Sequence, residues 1–376
     1  MHPFIFPHFC GIIPPHLLRR VGGDGHATLE QLRELARGAA ASPIPVAAAG
    51  PVPTWKRRHV YDAGHQFRLP GKLSMSRHKA RDPESAVLEA YDGFGATHDF
   101  FARLFRRNSI DGKGMRLDAT VRYGERFQNA VWDGRQLICG DGDGRIFGRF
   151  TASLDAIAHL LTHGVTQHSA GLGSQDETGA LNEHLSDAFG IMVRQYTLGQ
   201  RAKDSDWVIG AELFGPAFAG SALRSFALPG SAYDHPLLGR DPQPSHMRDY
   251  VETAGDNGGI HVNSGILNHA FYLAAMAMGG HTWEVLGRIW YVALTDRLRP
   301  DADFADFTRA TVDIAGELYG NGGHVQRLLA DAWGDVGLPV PLFGCVEQHS
   351  PARRRRQLDA HRRRRQRGQL KKGERS

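Results

Sequence analysis

The sequence predicts an α+β fold of two lobes, a strand-rich N-terminal lobe and a helical C-terminal lobe, with a cleft between them. The main basis is a change of hydrophobic period along the chain. Residues 57–75 and 115–151 carry glycines, aromatic residues and short alternations such as Arg116-Leu117-Asp118-Ala119-Thr120-Val121, the pattern of strands and turns. From about residue 153 the spacing is helical, over 153–168, 178–198, 263–279, 281–297, 303–318 and 323–335. A length of 376 residues suits two domains of ordinary size, and no internal repeat points to a solenoid.

Residues 1–21 are apolar but broken by Pro3, Pro7, Pro14 and Pro15. They lack a basic start, a continuous apolar stretch and a small-residue cleavage site, so they do not read as a secretory signal. Residues 26–40 have helical spacing, with Leu29, Leu32, Leu35 and Ala36 on one face. The prolines and small residues of 41–53 suit an exposed, extended linker within reach of a protease. A helix is expected over 84–106, with Val87, Ala90, Tyr91, Phe100, Phe101 and Leu104 as its apolar side. The chain thus divides into 1–53, a strand-rich lobe over 54–168 that ends in a helix, a helical lobe over 169–340, and a basic tail over 341–376. The tail is low in complexity and expected to be disordered by self-repulsion.

Composition narrows the class. Hydrophobic residues make up 41% and charged residues 23%, as in a globular chain. No apolar run approaches the ~18–20 residues of a membrane-spanning helix, so no membrane span is expected. Three cysteines, Cys10, Cys139 and Cys345, are too few for a disulfide scaffold or a multi-cysteine zinc module. From Arg353 onward twelve Lys/Arg stand against Asp359 and Glu374, giving +10; the formal +5 of the whole chain leaves −5 for the body.

The chemistry concentrates in two helices. In Ala158-His159-Leu160-Leu161-Thr162-His163, two histidines four apart share a helical face and can offer both imidazoles to one ion. That spacing alone is a weak signal. In Leu181-Asn182-Glu183-His184-Leu185-Ser186-Asp187, Glu183 and Asp187 also share a face. Glu183 can supply a third, oxygen ligand, and Asp187 can take the hydrogen bond of a ligating histidine's other ring nitrogen. Two His and one Glu leave a fourth tetrahedral position for water, the layout of a catalytic zinc site. The competing reading is two unrelated amphipathic helices.

The run HLLTHGVTQHSAGL…GALNEHLSDAFG resembles the zinc region of the thermolysin family of neutral metallopeptidases. There HExxH is followed, at the spacing of His163 to Glu183, by the ligand Glu of a GAxNExxSDxxG motif. Asp256-Asn257-Gly258-Gly259-Ile260-His261-Val262-Asn263-Ser264-Gly265-Ile266 resembles the family's DNGGVHxNSGI block, and Asn129-Ala130-Val131-Trp132 its NAxW strand. CGIIPPHLLRR (10–20), VYDAG (60–64), AYDGFGATHDFF (90–101) and RNSIDGKGM (107–115) resemble the protealysin-type branch, which carries a short N-terminal pro-segment. The resemblance covers roughly residues 57–340. It implies a thermolysin-like fold with the zinc cleft between its lobes, and a pro-segment and linker over 1–53. His159, His163 and Glu183 then bind one zinc, and Asp187 orients the first histidine. His261, held by Asp256, stabilises the oxyanion, and Arg224 binds the substrate carbonyl. Asn129 and Ala130 hold an extended peptide, and Phe147, Phe150, Ile209 and Leu223 line the pocket for the side chain after the scissile bond. Ordinary core packing is the competing reading for those four.

Three departures weaken that picture. Leu160 stands where the family has the Glu that takes a proton from zinc-bound water and passes it to the leaving amine; leucine can do neither. Ser174 stands where a Tyr usually supplies a second oxyanion donor. Asp155 and Asp206 match acidic ligands of the family's paired calcium site, but Arg194, Val208 and Ala211 occupy other ligand positions, so calcium is not expected there and an Arg194–Asp155 ion pair is. Gly140-Asp141-Gly142-Asp143-Gly144 is expected to be a plain turn rather than a calcium or phosphate loop.

The reading is a zinc-holding homologue that is inactive or strongly impaired as a peptide hydrolase, with a peptide or protein segment as partner in the cleft. One rival is a weakly active zinc endopeptidase cutting before large apolar residues. The other is tail-driven binding to nucleic acid or an anionic surface. Within the pro-segment, Cys10 is a candidate fourth zinc ligand, against the alternative of a small apolar contact. Location stays open: the family implies export, the N-terminus shows no ordinary signal peptide, and Cys139 and Cys345 have no evident partners.

Overall fold

The alternating stretches of the first half assemble into one mixed sheet. The computed structural model describes residues 9–41, 56–76 and 85–340, so most of the 41–53 linker, the 341–376 tail and Cys345 lie outside the described residues. Strands β1 (Cys10–Gly11), β2 (Arg58–Asp62), β3 (Lys72–Met75), β4 (Leu117–Val121), β5 (Ala130–Trp132) and β6 (Leu137–Cys139) lie in the order β1-β5-β6-β4-β2-β3. The pairs β2/β4 and β4/β6 are parallel; the other pairs are antiparallel. Every residue of β5 and β6 is buried, as expected of strands covered on both faces.

Helices α1 (Pro15–Arg20) and α2 (Gly23–Ala41) precede the main sheet strands. The first was not expected, because Pro14 and Pro15 read as breaks. Pro15 instead opens the helix, where its fixed φ and missing N–H cost nothing. Leu17 and Leu18 are fully buried beneath it. Helix α3 (Ser85–Phe105) packs against β2 and β4 and buries Val87, Ala90, Phe94 and Phe100.

Helices α4 (Leu154–Gln167), α5 (Asp176–Leu198) and α6 (Asp256–Met278) form the layer that carries the site, with α5 packed against both others. Gly190 permits the close crossing of α5 over α4: a Cβ there would lie 2.8 Å from the Asp155 carbonyl oxygen and 3.4 Å from His159 Cβ. Helix α6 begins seven residues before the expected 263. Asp256, Asn257, Gly258 and Gly259 all have positive φ and wind a kinked first turn that helical spacing does not reveal. The helix expected over 281–297 is shorter: α7 (Leu286–Val292) runs into a π-helical turn at Ala293–Arg297, after positive-φ Gly279 and Gly280 turn the chain. Helices α8 (Phe304–Tyr319) and α9 (His324–Asp335) close the helical half. Among the described residues no helix is long and apolar enough to cross a membrane.

The 140–144 segment is a turn in which the Asp143 carboxylate accepts the backbone N–H groups of Arg145, Ile146 and Phe147 at 2.7–3.1 Å. At the start of α4, Arg194 of α5 donates to Asp155 Oδ2 at 2.7 Å and also binds Asp206. Asp155 is fully buried and further accepts bonds from Ser153 and Gly210 N–H. Removing one partner of a buried pair leaves a charge without compensation, at a cost of ~3–5 kcal/mol. Arg194→Leu is expected near 3 kcal/mol, the lower end, because Ser153 and Gly210 still donate. Urea unfolding of this variant beside Arg194→Leu/Asp155→Leu checks it, with the double variant recovering most of the loss.

Candidate metal centre and cleft

His159 and His163 lie one turn apart on α4, and their Nε2 atoms are 3.1 Å apart. His159 Nδ1–H donates to Asp187 at 2.8 Å, and His163 Nδ1 lies 3.2 Å from both Asn182 Oδ1 and Ser186 Oγ. Each Nδ1 is thereby occupied, which turns both Nε2 lone pairs into one space. Glu183 of α5 faces the same space, with one oxygen 3.5 Å from His159 Nε2 and the other 3.5 Å from His163 Nε2. Its Oε2 is buried and has no hydrogen-bond partner. Ligand atoms on a tetrahedral zinc, with bonds of about 2.0–2.1 Å, stand roughly 3.3 Å apart. The observed separations of 3.1 and 3.5 Å bracket that edge, so the donor set fits the ion.

The surroundings are strongly polarised. Burial pulls Asp187 up, but the Arg224 guanidinium and the His159 N–H outweigh it and hold the carboxyl below its ordinary range. Arg224 grips Asp187 with two bonds of 2.7 and 2.8 Å. Glu183 is likewise held low against burial by His261, His163 and His159. Burial lowers His163 to about 4. His261 titrates near 9: burial opposes the charge, and Asp256 with Glu183 favours it. Asp256 binds His261 at both Nδ1, 2.7 Å, and the backbone N–H, 3.0 Å.

An extended segment of the chain itself lies in the cleft. Strand β1 pairs with β5, Cys10 opposite Trp132 and Gly11 opposite Val131. Ile12 N–H donates to the Ala130 carbonyl at 2.9 Å, and the Asn129 side chain bonds both N–H and C=O of Ile13, at 3.0 and 3.3 Å. His261 Nε2 is 3.1 Å from the Gly11 carbonyl oxygen, and Arg224 is 3.5 Å from that of Ile12. Cys10 Sγ donates to Glu183 Oε1 at 2.8 Å and lies 3.9 Å from His261 Nε2. Burial first, then the Glu183 charge, hold this thiol well above its ordinary range.

Leu160 is completely buried on α4 between the two histidines in sequence. Ser174 Oγ is buried without a partner and borders a cavity of about 20 Å³ shared with Cys10, His163 and Glu183, room for roughly one water. Phe147 and Phe150 are ring neighbours at 5.9 Å, and Ile209 and Leu223 are joined by a backbone bond of 2.8 Å across β7 (Val208–Ile209) and the residue before β8 (Arg224–Ser225). All four are buried. Asn182 and Asn268, which bond His163 and Asp187, received no role from the sequence; both sit inside or beside the motif blocks, but an amide carries no charge or spacing to single it out.

Two family models match the chain: the thermolysin metallopeptidase catalytic domain over residues 53–167 and the thermolysin metallopeptidase alpha-helical domain over 170–338. An extracellular metalloprotease of Pectobacterium carotovorum subsp. carotovorum is 47% identical over 342 residues, covering 88% of this chain and 97% of that protein. Thermolysin from Bacillus sp. (strain EA1) is 35% identical over 74% of this chain and 50% of its own length. The solved precursor of protealysin, a metalloproteinase from Serratia proteamaculans, matches with a TM-score of 0.78 and 46% identity, over 88% of this chain and 99% of that one. With both lobes matched, and the protealysin precursor superposing over nearly its whole length, the chain belongs to the thermolysin family of metallopeptidases, in its protealysin-like branch.

Proposed function

We propose that this family member holds zinc and binds peptide strands but has lost, or nearly lost, peptide-bond hydrolysis. Leu160 carries the reading. His159, His163 and Glu183 would hold the ion, which when bound polarises a carbonyl and acidifies water. The adjacent side chain is buried hydrocarbon and can neither accept nor return a proton. A positioned acid–base group is typically worth ~10²–10⁴ in rate, and this one would serve two steps. Among the described residues no neighbouring carboxylate is free to replace it: Glu183 faces the ligand space, Asp187 is bonded to His159 and Arg224, and Asp256 holds His261. His261 keeps its place against a strand carbonyl, which supports carbonyl binding without completing the proton transfers.

Residues 10–20 act as a pro-segment that fills its own cleft in the manner of a substrate strand. Asn129, Ala130, His261 and Arg224 are the groups it uses. Cys10 is the candidate for the fourth zinc position: its Sγ, 2.8 Å from Glu183 Oε1, groups with Glu183 and His261, and a metal takes a thiol's proton even where burial has raised its pKa. Calcium is not needed at the paired site, because the Arg194 guanidinium occupies the ground between Asp155 and Asp206. Export suits relatives described as extracellular.

Purified protein is expected to carry about one zinc per chain. Metal-free protein that takes up none on addition overturns the assignment. Leu160→Glu should raise peptidase activity at least ~10²-fold, the lower end for a positioned base, with both proteins assayed after the same limited proteolysis. Ser174→Tyr should add to that gain by returning an oxyanion donor. A wild type as fast as Leu160→Glu supports the weakly active endopeptidase instead. Cys10→Ser should bind a zinc-directed hydroxamate more tightly than wild type; equal affinity removes Cys10 from the metal.

A further inference from the structure

The aromatic core of the helical half reaches the metal centre through an unbroken line of hydrogen bonds. Trp290 of α7 is buried, stacked on Trp333 at 5.9 Å and edge-on to Phe307 and Phe271. Its indole N–H donates to His184 Nε2 at 2.9 Å. His184 Nδ1 lies 2.7 Å from Asn268 Oδ1. Asn268 Nδ2 donates to Asp187 Oδ2 at 2.9 Å, and Asp187 Oδ1 receives the His159 Nδ1–H. Trp290, His184, Asn268, Asp187 and His159 are all fully buried, so water competes for none of these bonds.

The two ends fix the direction of every proton. An indole nitrogen only donates, so His184 Nε2 accepts and the His184 proton sits on Nδ1. A carboxylate only accepts, so Asn268 turns its nitrogen to Asp187 and its oxygen to His184. The His184 N–H thereby holds the Asn268 amide in the orientation that donates to Asp187. With that lone pair of Asp187 filled, and Arg224 filling two more, the remaining one is aimed at His159. His159 then keeps its proton on Nδ1 and presents Nε2 to the ion.

We propose that His184 is a positioning residue for the metal, anchored by Trp290 and acting through Asn268 and Asp187 on the tautomer and ring plane of His159. The inference rests on the reading of His159, His163 and Glu183 as zinc ligands. The competing role is plain space-filling, since the His184 ring also packs against Phe271 and Phe307 at 6.3 and 5.7 Å.

Zinc affinity of the full chain, measured by competition with a chromophoric chelator, separates the two. His184→Asn places an amide nitrogen near the Nδ1 position and keeps the donation to Asn268. His184→Gln reaches only the Nε2 position, and His184→Leu makes neither bond. Leu and Gln should weaken zinc binding about 10-fold, the lower end for a lost outer partner, while Asn stays within about threefold of wild type. Cobalt(II) in place of zinc should show a shifted visible band in the Leu and Gln variants and an unshifted one in Asn. A folded Leu variant that binds like wild type, or an Asn variant no better than Leu, overturns the inference. If Leu fails to fold, Asn against Gln decides, together with Trp290→Phe, which keeps the ring, loses the N–H and should weaken binding several-fold. A wild type that binds no zinc overturns the metal reading itself and the inference with it; a wild type that binds, with all variants equal, overturns only the inference.

Discussion

One buried carboxylate holds the site together. Asp187 has no exposure to solvent and accepts bonds from four donor atoms: His159 Nδ1, Nε and a terminal nitrogen of Arg224, and the Asn268 amide. Those partners come from α4, β8 and α6, and Asp187 itself from α5, so four elements that are far apart in the chain meet on two oxygens. A carboxylate in such a place is tolerated only because every lone pair is filled and Arg224 balances its charge. The same arrangement sets the protonation of His159. Structural integrity and metal readiness therefore depend on the same bonds.

Much of this could be read in advance, for identifiable reasons. Helices α4 and α5 carry long, regular apolar faces, and helical spacing puts His159 with His163, and Glu183 with Asp187, on one face each; that the two pairs meet followed from the family resemblance. The Arg194–Asp155 pair was visible because Arg194 stands at a ligand position of the family's calcium site beside Asp155, where a cation of its own leaves no place for the ion. Elsewhere the determining contact lies far away in sequence. Strand β1 is two residues long and exists because β5 offers it a ladder, so no local alternation announces it. Pro15 reads as a break until Leu17 and Leu18 are seen to be buried. The kinked start of α6 depends on positive φ at four successive residues, two of them not glycine, and periodicity is blind to φ. Nothing local singles out His184, because its partners are 84 and 106 residues away.

The cleft separates backbone binding from the chemistry beside the ion. The groups that hold an extended backbone, Asn129, the Ala130 carbonyl and His261, are all engaged by residues 11–13 of the same chain. Backbone bonds of this kind recognise strand geometry rather than side chains. Leu160 takes part in none of these bonds. The structural demand on the cleft is met as long as the segment stays docked.

Gly11 determines how that segment docks. A Cβ at this position would lie 2.9 Å from Asn129 Nδ2 and 3.2 Å from Val131 Cγ1, so the strand can approach β5 only where a side chain is missing. A shift of one residue would bring Cys10 or Ile12 to that point, collide with Asn129 and turn every side chain to the opposite face. The contact favours the observed register, in which the thiol of the preceding residue comes to Glu183 while Ile12 and Ile13 are buried. The hydrogen atom at Gly11 acts as an alignment mark, converting a generic strand pairing into the delivery of one sulfur atom to one place.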